Sequence, residues 1–336
     1  MERPAIAAIV PVHGREKPLS RVVRSLLASE GVAVDVVLVD ATPDAGPIPL
    51  DEDVSDQVRT LAEPEPVGFA RAINDGVRGT RAPHVLFAND DLLVSPTYMR
   101  ELVDALHRHP RAALVGGKIL RLDLDTDRPT RTIDTAGIAI RRSRRAVNRG
   151  EGTRDDGRFD EETEVFGVSG AGLLARRDAL DEGTLGAGAL DESFFMYKED
   201  VDLAWRLRLL GWECWYVPSA VGYHARTSRS GGGSYLRHPR GFARIERTKP
   251  EYVRLHSMKN QWLMLVKNEH ARDLFRDAPW ILGRESVVFL HNAVLAPRTL
   301  RAIPLFFRAL PRALADRRAL RLRTPPGARQ LRRWFT

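Results

Sequence analysis

Asn89-Asp90-Asp91 closes a short apolar run, PHVLFANDD (83–91). Adjacent carboxylates at a strand end repel one another unless a cation or several hydrogen-bond donors neutralise them. Oxygen ligands of this kind suit hard divalent ions that also hold phosphates, Mg²⁺ or Mn²⁺. The plainer alternative is a solvated turn, which Asp and Asn favour anyway. A second acidic group lies in FFMYKEDVDLAWR (194–206), where Glu199, Asp200 and Asp202 fall at the start of a helix behind an aromatic cluster. The helix dipole alone favours acids there. His224 follows 24 residues beyond Asp200, at the end of VPSAVGYH (217–224); a lone histidine in such a place is more often structural than a ligand.

The elements that must position these groups alternate. AIAAIVPV (5–12) and VDVVLVD (34–40) are β-branched apolar runs of the kind buried on both faces of a parallel sheet. Between them, Val22, Val23, Leu26 and Leu27 recur at helical spacing, with Ser20 as a cap. QVRTLAE (57–63) reads as a third strand, GFARAINDGVRG (68–79) as a small-residue helix, and PHVLFANDD as a fourth strand before a helix from about 96 to 108. This alternation predicts a doubly wound, mostly parallel, Rossmann-like α/β sheet. Its ligand crevice lies beyond the carboxyl ends of the strands, where His13, Gly14, Arg15, Asp40, Asp44, Asn89, Asp90 and Asp91 collect.

Further on, ALVGGKIL (113–120) reads as a strand, the Arg-rich stretch near 141–158 as a surface excursion, and GVSGAGLLARR (167–177) as a small-residue strand. EDVDLAWRLRLLG (199–211) is a helix with Leu203, Leu207 and Leu210 on one stripe and Gly211 as its stop. WECWYVPSAVGYH (212–224) returns as a strand, and the glycines at 231–233 mark a mobile loop. Beyond about 250 the chain reads as helical, broken by Pro304, Pro311 and Pro325-Pro326.

The composition is 43% hydrophobic and 29% charged, ordinary globular values. Cys214, the single cysteine, lies in an apolar run with no second thiol, which predicts a buried thiol and suits a reducing compartment. No N-terminal signal is visible, and the uncharged stretch 286–297 is short of the ~20 residues a spanning helix needs. The net charge of +8 is uneven: residues 271–336 hold 14 Arg, no Lys and 4 acids, a balance of +10 that leaves −2 for the rest. Basic residues interleaved with stacking aromatics would mark a nucleic-acid groove. Here Arg alternates with Leu, Ile and Phe, with Leu300, Ile303, Phe307, Leu310 and Leu314 on one helical face and Arg301, Arg308 and Arg312 opposite. That pattern predicts a basic amphipathic surface for anionic membrane rather than nucleic acid.

Taken in order, VPVHGR (10–15), VLVDATPD (37–44), VGFARAIN (67–74), FANDD (87–91) and the block from GVSGAGLLARR through FFMYKEDVDLAWR to VPSAVGYH resemble the family 2 inverting glycosyltransferases. Within that family the likeness is to rhamnosyltransferase-like and galactofuranosyltransferase-like members, over roughly residues 5 to 230. The resemblance implies a GT-A domain over 1–230, with a nucleotide-binding half to about 110 and an acceptor-binding half beyond it. Residues 231–336 then form a loop and a basic helical extension. It further implies that Pro11, Val12 and Arg15 line a base pocket and that Asp40 reads the pyrimidine. Gly68, Arg71 and Asn74 would pack on the nucleotide, with Asn89 and Asp90 beside it. Asp91 and His224 would hold Mg²⁺ or Mn²⁺, and Asp200 would be the general base. Glu199, Asp202, Trp205 and Arg206 are then expected on the acceptor side or behind the base.

The chain departs from the family pattern at Asn89, where the strict motif has Asp, and at Ala41, where Asn is frequent. With Asn at 89, neutralisation of the ion rests more on Asp91, His224 and the diphosphate. VNRGEGTRDDGRFDE (147–161) resembles actinobacterial rhamnosyltransferases and favours dTDP-rhamnose as donor over UDP-galactofuranose. The implied setting is peripheral, on the cytoplasmic face of a membrane, with a polyprenyl-linked saccharide as acceptor. A sugar nucleotidyltransferase shares the opening topology, but VPVHGREKP lacks the Gly-rich phosphate loop it would need.

Overall fold

Four parallel strands, in the order β3-β2-β1-β4, form one half of the sheet: β1 (Ala5–Val12), β2 (Ala33–Asp40), β3 (Val58–Ala62) and β4 (His84–Ala88). They belong to a computed structural model that describes residues 3, 5–15, 19–123, 126, 128–186, 188–225, 250–325 and 331–336. The expected loop at 231–233 lies outside the described residues.

Alternate residues of β1 feed two cores, as a pleated strand buried on both faces must. Ile6, Ala8 and Val10 join helices α1 (Leu19–Leu27) and α4 (Tyr98–Arg108) on one face, whereas Ala7 and Ile9 join α3 (Phe69–Arg78) on the other. Close approach of α3 requires Gly76, where a Cβ would stand 2.3 Å from Ile9 Cγ2. The helical pairing on both faces is the doubly wound arrangement that the sequence predicts.

The second half departs from it. β11 (Gly172–Arg176) lies antiparallel between β4 and β6 (Ala112–Asp123), and β12 (Glu213–His224) continues the sheet parallel to β6. Short β5 (Leu92–Val94) and β7 (Arg128–Thr135) attach to β12 and β6. The sheet is therefore mixed, with a helical C-terminal part.

Three expectations change. The Arg-rich stretch near 141–158 is not a plain surface excursion: Arg144 is fully buried, its guanidinium held by Glu269 at 2.5 Å and Asp277 at 2.9 Å. α6 (Glu199–Leu209) buries nearly its whole circumference, because α7 (Glu251–Asn268) covers the side that its leucine stripe leaves polar. The last helix, α9 (Ala302–Arg323), runs unbroken past Pro311, and Pro304 falls in its first turn, where no amide hydrogen is needed. α9 packs on α7 through Ala302, Ala313 and Leu320, while Phe307 and Leu314 of the expected stripe stay exposed. α8 (Ala271–Leu295) buries only Asp277, Ile281 and Asn292.

Candidate active site

The crevice beyond β1 and β2 is built by charge. Arg15 places one guanidinium nitrogen 2.9 and 2.8 Å from the two carboxylate oxygens of Asp40, and the same group reaches the carbonyls of Thr42 and Gly46. Gly14, with φ of +82°, turns the chain so that this can happen. Val12, Gly14, Arg15, Leu19, Pro49 and Asp90 line a cavity there, and Pro11 is buried beneath it. Asp90 accepts the backbone N–H of His13 at 3.1 Å, tying the end of β4 to the end of β1.

Asp91, one residue on, turns the other way. β5 pairs antiparallel with β12, with Leu92 opposite His224, and this register puts Asp91 Oδ1 2.9 Å from His224 Nε2. Asn89 Nδ2 lies 3.2 Å from the same nitrogen. Behind the ring, Asp134 of β7 meets His224 Nδ1 at 3.0 Å. Burial alone would lower the histidine's pKa, but the hydrogen bonds and charges of Asp134 and Asp91 outweigh it and raise the pKa to about 9.

Asp200 joins this group through one turn. Its Oδ2 accepts the N–H of Gly170 at 3.0 Å, and the carbonyl of the next residue, Ala171, accepts the N–H of Asn89 at 3.1 Å. Successive residues of a single turn thus fix the Asp200 carboxylate beside the Asn89–Asp91 cluster. Burial raises the Asp200 pKa, and the hydrogen bonds from Gly170 and Val201 only partly offset that. Glu199 is pushed up to about 8 by burial and by the neighbouring Asp200 charge, and its Oε2 has no hydrogen-bond partner among the described residues.

The other expected site residues lie on and around α3 and α6. Asn74 is buried and spends its amide on Leu190 and Glu192, so it braces the segment leading to Asp200. Arg71 is partly exposed within 3.4–3.6 Å of Glu63, Glu65 and Asp75. Gly68 caps α3, and any Cβ there would strike the Phe195 carbonyl at 2.3 Å. Asp202, Trp205 and Arg206, expected on the acceptor side or behind the base, are buried. Trp205 packs edge-on against Phe166 at 5.8 Å. Asp202 binds Arg206 at 3.0 Å, Lys267 at 2.8 Å and Asn268 at 2.7 Å, all fully buried. α7 encloses these groups, so they hold α6 in place from behind.

Sequence reasoning did not find Asp134, Gly170, Lys267 or the polar triplet Lys259-Asn260-Gln261. The triplet alone left a signal: three adjacent polar residues, all buried, inside a run that otherwise reads as helix.

The Asp91–His224 pair also decides whether a divalent ion fits. Among the described residues no three or more His, Cys, Asp or Glu form a cage of their own. One carboxylate and one imidazole suffice for an ion that completes its shell with substrate phosphates and water, as Mg²⁺ and Mn²⁺ do. The Asp134 carboxylate behind His224 is the arrangement that orients a ligating imidazole. The residues present fit such an ion.

A family model described as glycosyltransferase like family 2 matches residues 4–243. The chain belongs to that family. A curated relative from Mycobacterium tuberculosis, N-acetylglucosaminyl-diphospho-decaprenol L-rhamnosyltransferase, is 35% identical over 155 residues, 44% of this chain and 48% of that one. The match thus spans about half the length of that relative. An uncharacterized protein of Sinorhizobium fredii, y4gI, is 26% identical over 68% of this chain and 25% of its own. Among solved structures, the mannosyltransferase PcManGT of Pyrobaculum calidifontis, in complex with GDP-Man and Mn²⁺, aligns with a TM-score of 0.50 at 15% identity. That alignment covers 96% of this chain and 86% of the other. GalNAc-T7 with UDP, GalNAc and Mn²⁺ aligns with a TM-score of 0.51 at 14% identity, over 86% of this chain and 55% of its own. These structures share the GT-A fold with this chain.

Proposed function

We propose that this glycosyltransferase moves rhamnose from dTDP-rhamnose to a lipid-linked saccharide in cell-envelope synthesis, by single displacement with inversion. The observation that carries the reading is the turn Gly170-Ala171, which ties Asp200 to the Asn89–Asp91 cluster. The Arg15–Asp40 crevice would take the base and ribose, and Asp90 stands where the diphosphate would follow. Asp91 and His224 would hold Mg²⁺ or Mn²⁺. When bound, that ion supplies Lewis-acid stabilisation of negative charge on the departing diphosphate. The Asp200 carboxylate accepts the proton of the attacking hydroxyl as the new bond forms on the opposite side of the sugar carbon. Burial that raises its pKa makes it a stronger base. Retention would need a second carboxylate placed as nucleophile. Glu199 does not fill that role, since it is buried and held up at about 8.

The donor assignment draws on the mycobacterial relative, named for rhamnose transfer to N-acetylglucosaminyl-diphospho-decaprenol. Incubation with a panel of sugar nucleotides and an N-acetylglucosaminyl-diphospho-polyprenol should give a mass increment only with dTDP-rhamnose. NMR of the product should give an anomeric configuration opposite to the donor's. A retained configuration would sink the mechanism, and transfer from UDP-galactofuranose alone would replace the donor.

A lipid-linked acceptor places the enzyme at a membrane surface. No described helix is long and apolar enough to cross a membrane. α8 instead turns a long apolar face outward, with Phe275 81%, Leu290 61% and Val294 75% exposed. From Pro279 to Leu295 its only charges, Arg284 and Glu285, pair with each other, which leaves about 24 Å of helix without net charge at 1.5 Å per residue. Exposed Arg272 and Arg276 flank one end, and Arg298 and Arg301 the other. An apolar helix flanked by arginines fits an anionic bilayer interface, each Arg contributing ~1 kcal/mol near the surface.

The expected anchor thus shifts from the stripe on α9 to the face of α8. The intact chain should sediment with vesicles containing phosphatidylglycerol and be released by high salt. The triple variant Leu282→Gln, Leu290→Gln, Val294→Gln should bind about tenfold more weakly or worse, because burial of those side chains is lost. Unchanged sedimentation of that variant, or a stable dimer of the intact chain that the variant disrupts, would overturn the membrane assignment.

A further inference from the structure

The segment that delivers Asp200 is held in a conformation its own residues disfavour. Phe195, Tyr197 and Lys198 have φ of +64°, +68° and +72°, in the left-handed region that non-glycine residues seldom occupy. Such residues persist only where the surroundings over-determine them. The surroundings here are α7. The Asn260 side-chain amide donates to the carbonyls of Phe194 at 2.9 Å, Met196 at 2.8 Å and Tyr197 at 2.8 Å. Its neighbours grip the same segment: Lys259 Nζ donates to the Ser193 carbonyl, and Gln261 Oε1 accepts from Lys198 Nζ at 2.6 Å. The Phe195 ring stacks on His256 of α7 at 4.9 Å, and from α3 the Ala70 N–H donates to the Phe195 carbonyl at 3.2 Å. Lys198 is the residue from which α6 starts, and Asp200 is the second residue of that helix.

We infer that Asn260, which lies beyond the stretch matched by the family model, is the positioning residue that sets the direction of the Asp200 carboxylate. The inference rests on Asp200 being the base. One amide pinning three carbonyls across a run of left-handed residues fixes where α6 begins and how its first turn is rotated. A shift of that turn by about 1 Å would carry Asp200 off the Gly170 N–H and away from the acceptor hydroxyl, a displacement that can lower turnover on the order of 10²-fold. The Arg15–Asp40 crevice, built on β1 and β2, would not feel it.

The experiment compares the full-length enzyme with Asn260→Ala and Asn260→Asp, the second keeping volume while removing both donors. Affinity for dTDP and UDP is read by calorimetry, and kcat is expressed per nucleotide-binding molecule. The expected result is a fall in kcat of about 10²-fold, with donor KM and nucleotide affinity within about threefold of wild type. A residue that merely stabilises the fold would lower the thermal midpoint and the binding-competent fraction while leaving kcat per competent molecule unchanged, and that result overturns the inference.

Gln261→Met removes the Lys198 tether, together with the bond that Gln261 Nε2 donates to the Arg144 carbonyl at 3.2 Å, and serves if the Asn260 variants prove insoluble. It should lose about tenfold in kcat at constant nucleotide affinity, and wild-type turnover would overturn the inference equally. Asp200→Asn is measured alongside. If that variant is active, the base assignment fails and the positioning role with it. If it is inactive while Asn260→Ala is fully active, only the role of Asn260 fails.

Discussion

Asp200→Asn is expected to reduce transfer by at least 10²–10⁴-fold, the range that a positioned general base contributes. The substitution is nearly isosteric. Asparagine keeps an oxygen to accept the Gly170 N–H, which Asp200 Oδ2 now does at 3.0 Å, but it cannot take up a proton. The nucleotide crevice is built from Arg15, Asp40 and the ends of β1 and β2, so affinity for the nucleotide should stay nearly unchanged. Stability separates lost chemistry from a lost fold. Burial raises the Asp200 pKa, so the folded state disfavours its charged form. A carboxyl group of this kind stabilises the fold fully below its unfolded pKa and loses that contribution as pH rises through the folded value. Asparagine mimics the neutral form, so the variant should be no less stable than wild type at neutral pH. Thermal melts and nucleotide titration check those two points. Turnover within about tenfold of wild type, in a folded variant, would remove Asp200 from the mechanism.

How far the sequence reveals this site follows the range of the interactions that make it. The β1, β2 and β4 runs are legible because strands buried on both faces must be continuously apolar, and the polar residues at their carboxyl ends then mark the crevice. Asp91, Asp200 and His224 are legible through family likeness, and the fold brings them around one turn. Asp134 is not legible. It sits in β7 among threonines, and only the register of β5 on β12 and β7 on β6 brings it to His224.

The same holds behind α6, where periodicity predicts one buried stripe and a solvated remainder. Lys267 instead reaches Asp191 at 2.6 Å and Asp202 at 2.8 Å, so charged residues face a second helix rather than water. The Lys267 ammonium and the Ser193 hydroxyl hold the Asp191 carboxyl well below the usual range, against the opposing effect of burial. A paired buried charge and an exposed one look alike in a sequence, because the partners of Lys267 lie 76 and 65 positions away. For that reason the motif leaves Asp202 and Arg206 either on the acceptor side or behind the base, and only the packing of α7 shows that they lie behind, where they lock α6.

Chelation is expected to stop transfer altogether, and Mg²⁺ or Mn²⁺ to restore it. Asp91 and His224 come from elements 133 positions apart and meet at 2.9 Å, with both side chains buried. Asp134 on the far ring nitrogen would keep a hydrogen on Nδ1, so that an ion displacing the Nε2 proton would meet a lone pair directed at it, as carboxylates behind ligating histidines arrange. Three variants then separate in a binding measurement that does not depend on turnover, the electron paramagnetic resonance signal of free Mn²⁺ in the presence of nucleotide. Asp91→Asn and His224→Ala, which remove ligands, should abolish the nucleotide-dependent loss of that signal. Asp134→Asn retains both ligands and should weaken ion binding about 10–100-fold, so that activity returns at higher Mn²⁺. The asparagine amide can still accept from Nδ1 through its oxygen, but it lacks the charge that makes the imidazole a stronger ligand. If Asp134→Asn binds Mn²⁺ as tightly as wild type, Asp134 has no bearing on the ion. Full activity after exhaustive chelation, with His224→Ala equally active, would remove the ion from the site and leave the Asp91–His224–Asp134 cluster as a buried brace between β5, β7 and β12.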